Sequence, residues 1–306
     1  PSFTFTSTAN AFAIRGARIR FADADPGTFS MGLRELAAAV TPRTTVAVAM
    51  PYGGVARDPD ALGVFCQTRG ISLVEDNAHG LFASFRGKPL GTFGVLSALS
   101  FHGTKNVSCG EGGALVLNDV SLLARAEILR EKGTDRARFH RGEVDRYTWR
   151  DIGSSYLPSD VLAAVLCAQL EAADDIQARR LAVWSAYRAV LKPAAADLGI
   201  VLQEIPEGMI HPAHLFSLLL PEGAVLAAVL SRLMKAGVWA VTHYEPLHLA
   251  PARLRCLPDG LSGSESLPET EKIARRLIRL PLFADLAADD ASRIASTLVG
   301  ILREAR

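Results

Sequence analysis

The sequence lacks the features of disulfide-rich, membrane-spanning and nucleic-acid-binding proteins. Its four cysteines are widely spaced and include no Cys-x-x-Cys pair, which argues against a zinc site and a disulfide framework. Lysine plus arginine (33) nearly cancels aspartate plus glutamate (32), so no net field attracts a polyanion. The apolar runs are shorter than the roughly 20 residues that span a bilayer. We therefore expect a cytoplasmic protein with a small-molecule substrate and no nucleic-acid or membrane partner.

The first half of the chain alternates short apolar runs with longer amphipathic ones. Strand-like runs lie at residues 17–23, 44–50, 71–75, 95–101 and 114–118, and helical runs lie at residues 31–40, 58–69 and 120–132. This alternation predicts an α/β fold with a mostly parallel central sheet flanked by helices. In such a fold the ligand site lies beyond the carboxyl ends of the strands.

The pattern changes after about residue 150. Ser159 is a typical N-cap residue, and apolar residues follow it at helical spacing, so we expect one long helix that reaches Leu191 before Pro193 ends it. Strand-like runs at 214–220 and 239–242 and helical runs at 224–236, 268–279 and 289–304 then indicate a smaller C-terminal α/β domain. We expect a large cofactor-binding domain at residues 1–165, a long connecting helix at 166–198 and a small domain at 199–306.

A lysine and an aspartate follow two of the strand-like runs. Lys105 lies in residues 100–106 (SFHGTKN), and Asp76 lies in residues 74–79 (VEDNAH). A pyridoxal phosphate enzyme needs a lysine that forms a Schiff base and a carboxylate that keeps the pyridine nitrogen protonated. Taken singly, each residue has a commoner structural explanation. Together on adjacent strand ends they predict a pyridoxal phosphate site, in which Lys105 also transfers protons.

Two more residues near this pair have side chains that suit the same cofactor. Ser100 precedes Lys105 by five residues and supplies a hydroxyl donor, so we expect it to bind the phosphate. His79 follows Asp76 by three residues, and we expect it beside the 3'-oxygen of the cofactor ring.

These segments resemble the DegT/StrS-type nucleotide-sugar aminotransferases, which are fold type I pyridoxal phosphate enzymes. The family patterns E-D-x-A-x, S-F-x-x-x-K-N and G-E-G-G match residues 75–79, 100–106 and 110–113. Further similar segments lie at residues 1–10, 130–134, 147–156, 243–248 and 280–283, so the resemblance covers nearly the whole chain. The run at 147–156 (YTWRDIGSSY) is most similar to the TDP-4-oxo-6-deoxyglucose aminotransferases, which make TDP-4-amino-4,6-dideoxygalactose.

The resemblance implies a role for individual positions around the cofactor. Lys105 would carry the cofactor as a Schiff base, and Asp76 would pair with the pyridine nitrogen. His79 would lie beside the ring, and Ser100 would bind the phosphate. Phe5 matches the aromatic residue that stacks on the cofactor face.

The resemblance also implies a homodimer with shared active sites. The segment at residues 153–156 matches the one that reaches into the partner's site, where Ser155 would contact the cofactor, although many relatives have asparagine at this position. Tyr156, His243 and Tyr244 would border the substrate. The spacing of His243 and His248 also suggests a metal site, but both belong to the family's His-Tyr-x-Pro-Leu-His segment, so we expect no metal.

The implied function is the transfer of an amino group from glutamate to the 4-keto carbon of a TDP-linked 6-deoxyhexose, for polysaccharide biosynthesis. In relatives, a segment that precedes the position of Pro1 contributes to the phosphate site. We expect this chain to lack that segment. It would then be a fragment of a longer gene product or bind its cofactor weakly.

Two alternative functions remain open. One is a relative that aminates another position of a nucleotide sugar; a dehydratase that uses pyridoxamine phosphate is less compatible, because such enzymes replace the lysine with histidine. The other is a truncated, non-catalytic paralogue that acts as a dimer partner. The intact Lys105 and Asp76 argue against this second alternative.

Overall fold

The computed structural model of the chain describes residues 1–256 and 266–305. The helices are α1 (Thr6–Ala13), α2 (Leu33–Ala39), α3 (Pro59–Gln67), α4 (Leu123–Arg130), α5 (Arg136–His140), α6 (Asp160–Glu171), α7 (Ala173–Leu198), α8 (Leu226–Lys235), α9 (Pro268–Arg276) and α10 (Ala288–Glu304). The strands are β1 (Val46–Ala49), β2 (Ser72–Asp76), β3 (Ser84–Phe85), β4 (Lys88–Pro89), β5 (Leu96–Ser100), β6 (Gly113–Leu117), β7 (Val201–Leu202), β8 (Met209–Ile210), β9 (Phe216–Leu219) and β10 (Leu277–Leu280). Within this described part, no helix is long and apolar enough to cross a membrane.

A four-stranded sheet in the order β1-β2-β5-β6 forms the centre of the first half. Strand β2 pairs in parallel with β1 and β5, whereas β6 pairs antiparallel with β5. Helices α2 and α3 bury apolar residues such as Leu36 and Leu62 against Leu73 of the sheet. The predicted α/β fold with a mostly parallel central sheet flanked by helices is thereby confirmed.

The carboxyl ends of three parallel strands meet at one edge of this sheet. Asp76 is the last residue of β2, Ser100 is the last residue of β5, and Tyr52 lies three residues after the end of β1. Parallel strands leave their carboxyl ends on one side, where the connecting loops can converge on a ligand. This edge therefore positions the candidate site.

The second half is built around a three-stranded antiparallel sheet in the order β10-β9-β7. Helices α7, α8 and α10 pack on it and form the largest buried apolar cluster, which includes Tyr187, Leu191, Leu218, Leu233 and Leu298. A third small sheet in the order β4-β3-β8 joins a hairpin of the first half to residues of the second.

Three strand and helix predictions need correction. Residues 17–23 form no regular strand, because their backbone groups bond to separate segments: Ile19 N–H donates to Cys256 O over 2.6 Å, and Ala22 O accepts from Ser2 N–H over 2.9 Å. Residues 239–242 contribute a single bridge with β10. The helix predicted at 268–279 ends at Arg276, and the apolar run that follows forms β10 by pairing with β9.

The single long helix is also divided in two. Ser159 is the N-cap, as predicted, and its hydroxyl accepts from the Leu162 N–H over 3.3 Å. The backbone then departs from helical geometry at Ala172 (φ −94°, ψ 8°), which separates α6 from α7. Helix α7 continues through Pro193 and ends at Gly199, whose φ of 68° is left-handed.

Candidate active site

Asp76 is held at the sheet edge by two donors. The Thr8 hydroxyl of α1 donates to its Oδ2 over 2.5 Å, and the Ala78 N–H donates to its Oδ1 over 3.2 Å. Thr8 is itself buried and hydrogen-bonded to Thr4 over 2.7 Å. These contacts fix the orientation of a carboxylate that is only partly exposed.

Lys105 lies in the turn that follows β5, and its N–H donates to His102 O over 2.9 Å. Burial lowers the pKa of the Lys105 amine; the nearby Asp76 carboxylate opposes this shift, and the Arg279 guanidinium adds to it. The structure thus places Lys105 and Asp76 within electrostatic range of each other, and their roles at a cofactor stay a prediction. A lysine with a lowered pKa is more often neutral and hence nucleophilic.

His79 lies beside this pair in a single tautomer. Gly53, whose φ of 66° requires the freedom of glycine, donates its N–H to His79 Nδ1 over 3.2 Å. Because Nδ1 accepts, the neutral ring carries its proton on Nε2, which faces the Tyr244 hydroxyl at 3.3 Å. His79 is buried, so its ring has little room to reorient.

A second buried histidine links the turn of Lys105 to the second half of the chain. His214 Nδ1 lies 2.8 Å from Oδ1 of Asn106, the residue next to Lys105. The Asn106 amide donates to Pro212 O over 2.7 Å, which leaves its oxygen to accept from His214. The His214 and His79 rings are 4.3 Å apart between centroids.

His243 and Tyr244 also reach this site. Their rings stack at a centroid distance of 4.0 Å and an interplanar angle of 9°. The buried Tyr52 places its hydroxyl 3.0 Å from His243 Nδ1. The structure therefore brings two of the three predicted substrate residues to His79: Tyr244 contacts it directly, and His243 is linked to it through Tyr52.

The three histidines are neutral near physiological pH. Burial lowers the pKa of His79 and of His214 well below the usual range. The pKa of His243 falls to about 3, first because of burial and then because of the Arg279 charge. The ring cluster therefore adds no positive charge beside Lys105.

Ser100 and Phe5 lie at the margin of the site. The Ser100 hydroxyl is partly exposed and accepts only a long hydrogen bond from the His102 N–H, at 3.4 Å. Phe5 is 60% exposed, and its ring centroid is 6.3 Å from that of Tyr244. The cofactor contacts of both residues stay a prediction.

Within one chain, Ser155 and Tyr156 have no described contact with this cluster. Both residues are exposed, Ser155 bridges Glu131, and the Tyr156 N–H donates to Arg130 O over 3.1 Å. Their predicted roles require a partner subunit and stay a prediction.

The neighbouring carboxylate and the second histidine of residues 243–248 have structural partners. Glu75 is buried and accepts from three backbone N–H groups between residues 91 and 94, at 2.7 to 2.8 Å. His248 lies 2.6 Å from the Ser2 hydroxyl and 3.5 Å from Glu271. Over residues 1–256 and 266–305, no group of three or more histidine, cysteine or acidic side chains could hold a metal ion.

The site also contains residues that no sequence pattern selected: Thr8, Tyr52, Asn106, His214 and Arg279. Tyr52 follows the end of β1, so the strand-end argument that selected Asp76 and Lys105 could have found it. His214 and Arg279 belong to a turn and a strand of the second half. No local sequence pattern indicates that they contact the site formed by the first half.

The sequence matches the family model of the DegT/DnrJ/EryC1/StrS aminotransferases over residues 1–299. The chain belongs to this family. The aminotransferase TlmJ from Streptoalloteichus hindustanus is 29% identical, with a TM-score of 0.88 over 100% of this chain and 78% of that one. A family aminotransferase from Brucella abortus is 26% identical (TM-score 0.85, 98% and 78%). The sugar aminotransferase CalS13 from Micromonospora echinospora is 25% identical (TM-score 0.82, 98% and 79%).

Pyridoxal phosphate is the cofactor of this family, and the described residues fit it. From its protein the cofactor requires an amine that can be neutral and a fixed carboxylate. Lys105 has the lowered pKa, and Asp76 has the two donors that hold it in place. The flat, neutral ring of the nearby His79 suits contact with an aromatic cofactor.

Proposed function

We propose that this aminotransferase moves an amino group from glutamate to the 4-keto carbon of a TDP-linked 6-deoxyhexose. Glutamate would leave as 2-oxoglutarate, and the ketone would become an amine. The similarity of residues 147–156 to TDP-4-oxo-6-deoxyglucose aminotransferases supports this substrate. We also propose a cytoplasmic location, which the free thiols of the buried Cys66 and Cys109 support.

One observation carries the proposal: a half-buried lysine with a lowered pKa lies in electrostatic range of an anchored carboxylate, at the edge where parallel strands end. Asp76 would hold the pyridine nitrogen and keep it protonated, and Lys105 would attach the cofactor. Ser100 would bind the phosphate, with Phe5 and His79 at the ring. When bound, pyridoxal phosphate accepts electron density from the substrate carbon that loses a proton.

Lys105 would also be the general base and acid. Burial leaves a larger fraction of its Nζ neutral, so it can take a proton from the carbon that bears the donor amine. The same nitrogen would then return a proton to the carbon that receives the amine. The neutral histidines leave this proton transfer to Lys105, because their lowered pKa values make them poor bases near pH 7.

Tyr244 and His243 would border the sugar or the donor. The Tyr244 hydroxyl is tied to His79, and burial raises the pKa of Tyr244 to about 12, so the hydroxyl stays neutral and able to donate. Hydrogen bonds from fixed hydroxyls discriminate between sugar epimers, because a wrong epimer leaves buried polar groups unpaired.

We propose that the enzyme is a homodimer with shared active sites. Several apolar side chains between residue 149 and the first turn of α6 are exposed: Trp149 is 75% exposed, Tyr156 69% and Val161 73%. Apolar surface of this kind is typical of protein interfaces. A partner bound there would bring Ser155 and Tyr156 of one subunit toward the site of the other.

The product of the purified chain tests this function. With pyridoxal phosphate, glutamate and TDP-4-keto-6-deoxyglucose, we expect an amino sugar and 2-oxoglutarate in equal amounts by liquid chromatography and mass spectrometry, with the amine at C4 by NMR. The UDP-linked sugar and the 3-keto isomer are the matched substrates and should turn over more slowly. Amination at another carbon, or equal rates on all three, would reject the proposed substrate.

A further inference from the structure

Asn106 ties the turn of Lys105 to the second half of the chain. It directly follows Lys105 and is buried. Its amide nitrogen donates to Pro212 O over 2.7 Å and to Gln177 Oε1 over 3.3 Å, and its oxygen lies 2.8 Å from His214 Nδ1. These partners are 71 to 108 positions further along the chain. The backbone next to Lys105 is therefore held by residues that no local pattern connects with it.

The rest of this turn has weaker support. Residues 102–104 are exposed, and the described side-chain bonds there join His102 to Thr104 within the turn. Val107 is buried in an apolar cluster on the other side of Lys105, but apolar contact is not directional. The hydrogen bonds of Asn106 therefore set the direction of the backbone that carries Lys105.

The same bonds fix the tautomer and the orientation of His214. Because the Asn106 nitrogen donates to Pro212 O, its oxygen accepts from His214, and the neutral His214 ring carries its proton on Nδ1. The ring also packs against that of His79, with centroids 4.3 Å apart. One hydrogen bond and one ring contact thus leave His214 a single orientation, between the turn of Lys105 and the residue expected beside the cofactor ring.

The backbone that presents His214 is strained and supported from α7. Ala213 has a φ of 45°, in the left-handed region that residues with a Cβ rarely adopt. The buried Arg180 donates to Ala213 O over 3.2 Å and to His214 O over 2.6 Å. Strain of this kind persists where the surrounding contacts over-determine it, and it is concentrated at functional sites. The support of His214 therefore points to a role beyond packing.

We propose that Asn106 and His214 are positioning residues for Lys105. In transamination the Lys105 amine must reach both the cofactor and the reacting carbon, so a small displacement of its backbone slows the reaction. Without His214, the buried oxygen of Asn106 would lose its donor, and the turn would shift to expose that oxygen to water. This inference rests on the proposed role of Lys105, and neither residue needs to touch the cofactor itself.

A set of variants separates positioning from stability. His214→Leu removes the donor to Asn106, and Asn106→Ala breaks the same contact from the other side, which keeps the test available if one variant does not fold. His214→Asn retains a donor near the position of Nδ1 and should rescue. Tyr187→Phe is the matched control, because it removes another hydrogen bond of the second half, from the buried Tyr187 to Pro281 O over 2.7 Å, in the core away from Lys105.

The first measurement uses the cofactor-free protein. Acetylation of Lys105 by acetic anhydride, measured against pH by mass spectrometry with the exposed Lys192 as the reference for reagent, gives the pKa of its amine. Burial lowers this pKa in wild type. His214→Leu and Asn106→Ala should raise it toward its ordinary value, because a loosened turn exposes the amine. His214→Asn and Tyr187→Phe should keep the wild-type value, and an unshifted pKa in His214→Leu overturns the inference.

The second measurement is the rate at which each protein attaches pyridoxal phosphate, followed by absorbance. We expect this rate to fall about tenfold or more in His214→Leu and Asn106→Ala, and to stay within about threefold of wild type in His214→Asn and Tyr187→Phe. The double variant of the first two should be no slower than Asn106→Ala alone, because both residues act through one hydrogen bond.

Two results would overturn this inference: a wild-type rate in His214→Leu, or independent losses that multiply in the double variant. A rate in Tyr187→Phe that falls with its Tm as much as in His214→Leu would show that the pair serves stability alone. If wild type does not attach the cofactor, or Lys105→Ala attaches it equally well, the proposed function is rejected instead.

Discussion

At the scale of single residues, the site depends on neighbours that hold the reacting groups. Asp76 is oriented by Thr8 from α1, and Thr8 is in turn bonded to Thr4. A carboxylate without this support could rotate into solvent at the sheet edge. The hydroxyl of Thr8 therefore positions the group that would contact the pyridine nitrogen, although Thr8 itself need not touch the cofactor.

Thr8→Val removes this hydroxyl and keeps the shape of the side chain. Because a hydrogen bond to a charged group is worth about 1.5 to 3 kcal/mol, we expect kcat to fall about tenfold or more. Steady-state kinetics with glutamate and the nucleotide sugar measures the loss. Thr6→Val, an exposed position two residues earlier on α1, is the control and should stay close to wild type. A normal kcat in Thr8→Val would contradict the positioning role.

The buried histidines make stability depend on pH. His79 and His214 stay neutral in the folded protein because burial lowers their pKa values, whereas both titrate near pH 6.5 once unfolded. Below pH 6.5 the unfolded chain binds more protons, so this stability is present above pH 6.5 and is lost as the pH falls. At about pH 5, keeping each of these histidines neutral lowers the free energy of unfolding by up to about 2 kcal/mol.

Urea unfolding at about pH 7.5 and about pH 5 measures this loss. His214→Gln should reduce the difference in unfolding free energy between the two pH values by up to about 2 kcal/mol, because one buried titrating group is gone. His140→Gln, an exposed position on α5, should retain the wild-type difference. Equal pH dependence in both variants would show that His214 does not carry the effect.

Proximity of single residues was predictable where the signal is local in sequence. Lys105 and Asp76 each follow a strand-like run, and the rule that parallel strands end at one edge was enough to bring them together. Arg279 and His214 reach the same place through long-range packing of the second half. Their positions depend on how β9 pairs with β10 and on how that sheet packs against the first half. Local sequence patterns do not determine either.

At the scale of helices and strands, packing overrides local preference in two places. Pro193 predicts a helix end, yet α7 continues to Leu198 because its apolar face, including Leu191, is buried in the second core. Residues 277–280 (LIRL) continue a helical pattern, yet they form β10 because β9 offers unpaired backbone groups. Element types were predictable from periodicity, whereas these boundaries were set by partners distant in sequence.

Helix α6 leaves an apolar face in solvent within one chain. Val161 and Val165 are one turn apart and are 73% and 46% exposed, and no buried residue lies on this helix. The proposed dimer would cover this face. A helix on the surface of a monomer usually exposes its polar side chains rather than its apolar ones.

Val161→Glu should break the dimer, because a charge placed inside an apolar interface loses its water without gaining a partner. Light scattering should give half the particle mass of wild type. Val225→Glu, a position that is 67% exposed at the start of α8, is the control and should keep the wild-type mass. A monomeric wild type, or an unchanged mass in Val161→Glu, would contradict the dimer proposal.

At the scale of the whole molecule, both halves contribute to one site. Asp76, His79 and Lys105 come from the first half of the chain, and His214 and Arg279 come from the second. We propose the division into residues 1–165, 166–198 and 199–306 as the organisation of the chain. The burial of α7 side chains in the core of the second half supports a connecting helix that moves with the small domain.

The central claim is that Lys105 attaches pyridoxal phosphate and serves the donor reaction. Its most direct test is the visible absorbance spectrum of the protein with pyridoxal phosphate, before and after glutamate. Wild type and Lys192→Ala, an exposed lysine on α7, should show a protein-bound cofactor band that glutamate bleaches, and Lys105→Ala should show no such band. A band that survives in Lys105→Ala, or one in wild type that glutamate leaves unchanged, would contradict the claim.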